Sequence, residues 1–293
     1  MSFFMQLLIN SIIAGSIYSL VAIGYTMVYG VLKFINFAHG ELAMVGAYIT
    51  FVLFRLLGFP ITLSISIAIL SVAFLGILIE KIAYRPLREA SRLAPLITAI
   101  AVSIFLQSVV LLIFGAINKT LTTETSKGLI FLGAYITPIQ IVIVATSILL
   151  MILLHLYLKH TRLGKAMRAT SDDTTIASVV GIKVDRVISS VFGIGSALAA
   201  VAGILIAFET NLNPTMGFFI GLKAFAAAVV GGIGSVRGAM LGGFIIGFSE
   251  NFGIWYFIPT GYKNSVAFII LVLVLLIRPS GLFGMKPEEE FKQ

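Results

Sequence analysis

Cysteine is absent from the 293 residues. No disulfide, thiolate metal site or cysteine nucleophile is therefore available. Charge is scarce as well: Asp, Glu, Lys and Arg make up 11% of the chain, against about 25% in a soluble domain. So few charges could not cover the surface of a water-soluble fold of this size, which excludes a soluble enzyme, a disordered chain, collagen and a disulfide scaffold. Only His39, His155 and His160 represent histidine, none in HExxH-type spacing, so no metal site is read. No serine occupies a G-x-S-x-G elbow. The first basic residue is Lys33, so the positive n-region of a signal peptide is missing and the first apolar segment is expected to stay in the mature protein.

The glycine-rich stretch VVGGIGSVRGAMLGGFIIG (229–247) is no phosphate loop. A phosphate loop needs G-x-x-x-x-G-K-[ST], but five residues past Gly231 stands Val236, and no Gly-Lys pair occurs in the stretch. In the dinucleotide pattern the third glycine position falls on Arg237. Gly238/Gly242 and Gly243/Gly247 instead form small-xxx-small pairs, which let helix backbones approach each other in lipid.

What fills the chain is apolar runs, and hydrophobic residues are 59% of it. A spanning helix needs about 20 mostly apolar residues. Candidates lie at 6–30, 41–57, 61–80, 94–116, 138–158, 187–208, 218–236, 238–258 and 262–278. The second is short, and the seventh, with Lys223 and its glycine cluster, is expected to be broken or only partly inserted. Runs such as IVIVATSILLMILLHLYL do not alternate, which argues against a membrane β-barrel. The expected fold is all-α, a polytopic transmembrane bundle of eight or nine segments forming one domain over residues 1–293.

The formal charge of +8 is read by position. With 81–92 placed inside, the inner side receives Lys33, Lys81, Arg85, Arg88, Arg92, Lys159, Arg162, Lys165, Arg168, Lys183, Arg186, Arg237, Arg278, Lys286 and Lys292, a total of 15. The outer side receives Arg55, Lys119, Lys127 and Lys263, a total of 4. This asymmetry is a positive-inside signal. Nine crossings put the N-terminus outside and the C-terminus in the cytoplasm. With eight, 218–236 would be re-entrant and one end would flip.

Two regions do not suit a passive anchor. In the cytoplasmic loop 159–186, the basic stretch Lys159–Arg168 reads mainly as a topology signal meeting anionic headgroups. Beyond it, Ser171 as N-cap, Asp172 and Asp173 in the first turn and Gly181 at C′ predict a helix over Asp172–Val180. Ile176, Ala177 and Val180 share one face of it. So short a helix is marginal in water, so that face needs either the membrane surface or a groove on another protein. The acidic first turn favours the second.

The other region is 24–49, where Lys33, Asn36, His39 and Glu41 interrupt a helical hairpin. It is either an ordinary cytoplasmic turn or, with Gly40 allowing an unwound backbone, a discontinuity beside a binding site. Glu250 and Asn251 stand in the middle of an apolar run, and Lys223 is a possible partner for the carboxylate. Glu209, Asn211 and Asn213 read as a polar external mouth or a solvated loop.

Four stretches then carry a resemblance: GYTMVYGVLKFINFAHGELAMVGAY, IEKIAYRPLREASRLAPLITAIAVSIFLQ, TRLGKAMRAT with ASVVGIKVDRV, and GLKAFAAAVVGGIGSVRGAMLGG. From about Gly15 to Gly284 the chain resembles the LivH-type permease subunits of bacterial branched-chain amino-acid ABC importers, least so around 117–136. The resemblance implies a multi-pass protein of the bacterial inner membrane, surrounded by lipid. It implies as partners a second, LivM-like permease, two cytoplasmic ATPase subunits and a periplasmic or lipid-anchored substrate-binding protein. No nucleic acid is expected, nor any cofactor of the chain's own, ATP being used by the partner subunits.

The resemblance further implies an ATPase-coupling loop carrying Gly164, Arg168, Asp172, Asp173, Ala177 and Gly181, to which the helical face adds Ile176 and Val180. Candidates for the translocation path are Asn36, His39, Glu41, Glu250 and Asn251, expected around a weakly polar cavity at a subunit interface. Three rivals stand beside this reading. One is a permease of the same family for urea, amides or another small solute. Another is an ion-coupled secondary transporter using His39, Glu41 or Glu250 as proton carriers, and the third is a membrane scaffold without a path.

Overall fold

The computed structural model describes residues 2–88, 90–91, 93–121, 128–256 and 259–284. Arg92, Lys127, Lys286 and Lys292 of the charge count, and the last two residues of the 238–258 segment, lie outside them. Each apolar run forms a helix. The first, free of proline, is α1 (Ser2–Leu32). After a break come α2 (His39–Phe51), which continues as a π-helical turn, Val52–Leu56, and α3 (Ile61–Ile79), which continues through a second π-helical turn, Glu80–Tyr84. Gly58, with φ +71°, makes the turn between them, and Pro60 starts α3. α4 (Leu93–Phe114) leads to a two-stranded antiparallel hairpin, β1 (Leu129–Phe131) and β2 (Ala134–Ile136), which the all-α expectation did not contain.

α5 (Pro138–His160) begins with a capping box in which the Thr137 hydroxyl accepts from the Gln140 N–H and the Gln140 side chain accepts from the Thr137 N–H. Two short helices follow, α6 (Arg162–Asp172) and α7 (Thr174–Val179). The chain then runs through α8 (Val184–Glu209), α9 (Met216–Gly231), α10 (Val236–Tyr256) and α11 (Lys263–Ile277). The protein is thus a polytopic helical membrane bundle.

The count of eight or nine crossings is not reproduced as that many full-length spans. Among the described residues five helices are long and apolar enough to cross: α1, α3, α4, α5 and α8. α9 and α10 meet at 119° and count as a sixth if the bent pair is one span. α11 is shorter, with 15 residues, and α2 has 13. The sequence's suspicion of the glycine cluster is explained by the bend: Gly232 and Gly234 both have positive φ, at 105° and 96°, and reverse the chain between α9 and α10.

α1 and α8 form the centre. Of their most apolar windows 67% and 72% is buried, against 22% for α3, α4 and α5, which leave most of their surface exposed. α1 packs on α10, α8 and α9, while α8 also carries α2 and α3. The small-residue pairs work as their spacing predicts. A methyl group at Gly247 would collide with the backbone of Gly15, one at Gly243 with Ser19 and one at Gly242 with the Ala227 carbonyl. The Ser19 hydroxyl donates to the Met240 carbonyl at 2.6 Å across the same seam.

The two ends of the bundle differ chemically. One gathers the ends of α1, α3 and α5 with α6 and α7, and Ser171 donates to the Gly30 carbonyl there at 2.7 Å. The other gathers the hairpin, the α8–α9 loop and the N-terminus of α1, with Lys119 and Leu212 paired backbone to backbone and Gln6 bonded to Tyr135 in both directions.

Gly247→Leu should wedge α1 from α10 and destabilise the purified protein by roughly 1–3 kcal/mol, the usual cost of overpacking. Thermal unfolding in detergent should show the lower midpoint, and Gly261→Leu, where a Cβ meets no atom within 4 Å, should leave it unchanged.

Candidate functional site

A lysine in an apolar helix and a glutamate in the middle of another are each costly alone. Ion desolvation amounts to several kcal/mol even in relaxed proteins. The fold brings them together. Lys223 of α9 places Nζ 2.9 Å from Oε1 and 3.1 Å from Oε2 of Glu250 on α10. Tyr18 of α1 donates to Glu250 Oε2 at 2.8 Å and accepts from Lys223 Nζ at 3.1 Å. The ammonium also lies 5.3 Å from the centre of the Tyr18 ring. Glu250 is wholly buried and Lys223 nearly so. The pair suspected from sequence is real, and Tyr18, its third member, carries no signal in sequence because it is one of three tyrosines in α1, with nothing local to set it apart from Tyr25 and Tyr29.

Above this triad opens a cavity of about 450 Å³ between α1, α8, α9 and α10. Tyr18 and Lys223 form its floor, Asn251 its side, and Ile13, Ile17, Ile206 and Ile220 its apolar wall. Glu209 and Gln140 stand at its rim, joined by a 2.8 Å hydrogen bond from Gln140 Nε2 to Glu209 Oε1. Glu209 was one of the residues read as a polar mouth. Asn211 and Asn213 serve the loop instead: Asn211 accepts from Thr120 and Asn213 donates to Asn118. The cavity expected from sequence lies at a subunit interface; this one lies within the chain, with Lys223 of the ion pair in its floor.

The interrupted hairpin forms a second cluster, away from that cavity. Lys33 takes a left-handed backbone, φ 55°, and ends α1. Asn36 turns inward; its Oδ1 accepts from the Ala38 N–H at 3.1 Å and from the Tyr84 hydroxyl at 2.7 Å. His39 and Glu41 open α2 and are both buried. The His39 ring stacks edge-on against Tyr25, centroids 4.9 Å apart, and its Nε2 has no hydrogen-bond partner among the described residues. Glu41 accepts from Ser103 at 3.3 Å through Oε1, while Oε2 is unpartnered there. Glu41 therefore does not sit at the headgroups. Gly40 is pressed so closely on Gly217 and Gly221 of α9 that no side chain fits between the helices. Asn36, His39 and Glu41 do not line the 450 Å³ cavity.

In loop 159–186 the single helix expected over Asp172–Val180 is replaced by two. Ser171 is not the N-cap: its hydroxyl is committed to Gly30, so α6 runs on to Asp172. Asp173 is extended and caps α7, accepting from the Thr175 and Ile176 N–H groups at 2.7 and 2.8 Å. Gly181 does terminate the segment with φ +87°. The expected face divides. Ala177 is buried, but Ile176, Val179 and Val180 are 64%, 81% and 68% exposed. Gly164 and Arg168 build the corner before it: a side chain at Gly164 would strike the Leu158 backbone, and Arg168 donates to the Leu158 carbonyl.

Sequence reading missed a further cluster at that end. Glu80, fully buried, receives Arg85 at 3.3 Å and Arg88, and accepts from Ser189 of α8 at 2.6 Å. Arg88 also pairs with Asp185 at 2.6 Å. The signal available was a glutamate closing an apolar run with two arginines five and eight residues on.

With this geometry in place, comparisons with known proteins are informative. The family described as "Branched-chain amino acid transport system / permease component" matches residues 7–275. The high-affinity branched-chain amino acid transport system permease protein BraD of Pseudomonas aeruginosa is 44% identical over 98% of this chain and 97% of its own. LivH of Escherichia coli, a permease protein of the same description, is 42% identical over the same shares. Among solved structures, PsaBC from Streptococcus pneumoniae in complex with Fab aligns with a TM-score of 0.51 over 99% of this chain and 95% of that one, at 15% identity, a likeness of fold alone.

Lys223→Met should destabilise the protein by roughly 3–5 kcal/mol, because it strands a buried carboxylate. The double replacement Lys223→Met with Glu250→Gln should recover most of that loss. A double-mutant cycle on thermal unfolding reads the coupling, and additive losses would mean that the pair contributes nothing.

Proposed function

Since the chain belongs to the family of permease components of branched-chain amino-acid transport systems, we propose that it forms the membrane path of an ATP-driven importer for branched-chain or other hydrophobic amino acids. The observation that carries this reading is the pairing of two features at opposite ends of one bundle. A cavity with an ion-paired floor opens at one end, and a short helix with an exposed apolar face stands at the other.

In this reading a second, LivM-like permease completes the membrane unit, an extracytoplasmic binding protein delivers the amino acid, and two cytoplasmic ATPases supply the energy. The chain itself hydrolyses nothing. Loop 159–186 is the coupling element. Ile176, Val179 and Val180 enter a groove on an ATPase, while Ala177 ties α7 to the bundle. Asp173 caps the helix, Gly164, Arg168 and Gly181 shape its approaches, and Asp172 ends α6. A bound nucleotide shifts a conformational equilibrium only through contacts that differ between states, and α7 leads through the turn at Gly181 into α8, one of the two central helices.

The path is assigned to Glu250, with its partner Lys223, and Asn251. Asn36, His39 and Glu41 contribute where α2 parts from α9. The unpartnered Nε2 of His39 and Oε2 of Glu41 support this, since buried polar atoms without partners cost about 1–3 kcal/mol each, and parting would admit water or substrate to them.

Reconstituted with its partners, the chain should support leucine uptake that requires ATP and the binding protein. Alone it should neither hydrolyse nor saturably bind ATP. The double substitution Ile176→Glu and Val180→Glu should abolish uptake and release the ATPases while leaving membrane insertion intact. Normal assembly and uptake in that variant would remove α7 from the coupling role.

A further inference from the structure

We infer that the cavity between α1, α8, α9 and α10 is a transit site for the free amino acid as a zwitterion, with Glu209 at the rim meeting the ammonium on entry and Lys223 in the floor meeting the carboxylate further in. The inference rests on the amino-acid permease reading above and assigns it a place and two contacts.

The cavity offers both charges that such a ligand requires. Lys223 stands in the floor and Glu209 at the rim, and both line the same space. Neither is saturated. Glu209 Oε1 accepts from Gln140, while its other oxygen takes no hydrogen bond among the described residues. Lys223 Nζ lies 2.9 Å from Glu250 Oε1, yet that oxygen receives no hydrogen bond in proper geometry. The ammonium is held by charge but retains capacity for another acceptor.

The charges also sum correctly. Lys223 and Lys263 line the cavity with Glu209, and Glu250 lies bonded directly beneath. Two cations and two carboxylates leave the site without net charge, which suits a ligand that has none and disfavours simple anions or cations. Between the polar groups the wall is aliphatic, from Ile206 on one side to Ile13 and Ile17 on the other, with Phe219 beside them. A branched hydrocarbon side chain is the complement of that surface. The volume, about 450 Å³, lies in the ordinary range for small-ligand pockets, about 300–1,000 Å³.

A carboxylate reaching Lys223 must share it with Glu250, so affinity is low. Low affinity is what transit requires, since a tightly held ligand would not be released inward. Tyr18 bonds both members of the pair and keeps the lysine in place while its second acceptor comes and goes.

The test exploits the absence of native cysteine. Phe219→Cys, at a half-exposed wall position, is placed in the complete importer in vesicles and exposed to a membrane-impermeant thiol reagent from the outside. Millimolar leucine, without binding protein, should slow modification several-fold, whereas leucinol, which lacks the carboxylate, and 4-methylpentanoate, which lacks the ammonium, should not. Glu209→Gln, a change on an exposed side chain, should abolish the protection and raise the KM for uptake about tenfold, the order of one charge-assisted hydrogen bond. Ala14→Phe, which fills the cavity without touching a charge, should block uptake with assembly preserved. Equal protection by 4-methylpentanoate overturns the ammonium contact. Normal uptake with no protection by any amino acid overturns the site and leaves the permease reading standing. Failure of the wild-type importer to take up any amino acid overturns the permease reading instead.

Discussion

Helices surrounded by hydrocarbon gain nothing from burying apolar side chains, since lipid tails are as apolar as leucine. This bundle therefore depends on how near its backbones can come. Gly15 against Gly247, Ser19 against Gly243 and Ala227 against Gly242 bring α1, α9 and α10 into direct contact, and Gly40 against Gly217 and Gly221 does the same for α2 and α9. Dispersion acts over such distances and fails quickly beyond them. The same closeness leaves little space for water, so whatever polar group is drawn inside must find its partner in the protein.

That second condition shapes the functional end of the molecule. Lys223, Glu250 and Tyr18 come from three helices, α9, α10 and α1, and satisfy one another only because the glycine seams bring those helices together. The bend of 119° at Gly232 and Gly234 is part of the same construction. It folds α9 back against α10, which brings Lys223 to Glu250 beneath the cavity. At the opposite end the tie is ionic: Glu80, Arg85, Arg88 and Asp185 join the end of α3 to the start of α8, beside the exposed α7.

Several of these features were legible in the chain itself. The membrane class followed from scarce charge and long apolar runs, and the small-xxx-small spacing identified the contact faces of α10. The Lys223–Glu250 pair could be suspected because no other group in either run could neutralise the charge. The cap of α7 was misread for a local reason with a distant cause. Ser171 is a good N-cap by type, but its hydroxyl is taken by the Gly30 carbonyl of α1, 141 residues away in sequence. With Ser171 engaged, Asp173 becomes the cap, and the exposed face moves to include Val179. Hydropathy measures composition and not direction, so the eight or nine segments read from the chain appear as five long apolar helices, one bent pair and shorter helices among the described residues. An apolar run that bends, as at α9, or stops short, as at α11, scores like one that crosses.

Composition and spacing by themselves determined the solvent this protein lives in, the helical form of its segments, the side on which its basic residues gather and the faces able to pack closely. All of these are properties of a residue and its near neighbours. Tertiary structure alone decided that Tyr18 completes the ion pair, that Glu209 overlooks the cavity, and that Asn36, His39 and Glu41 are enclosed between α1, α2, α4 and α9. It also decided that Ala177 turns inward while Ile176 and Val180 do not. Each of these depends on the direction in which one helix leaves another, and that direction is set by backbone contacts between residues tens to hundreds of positions apart.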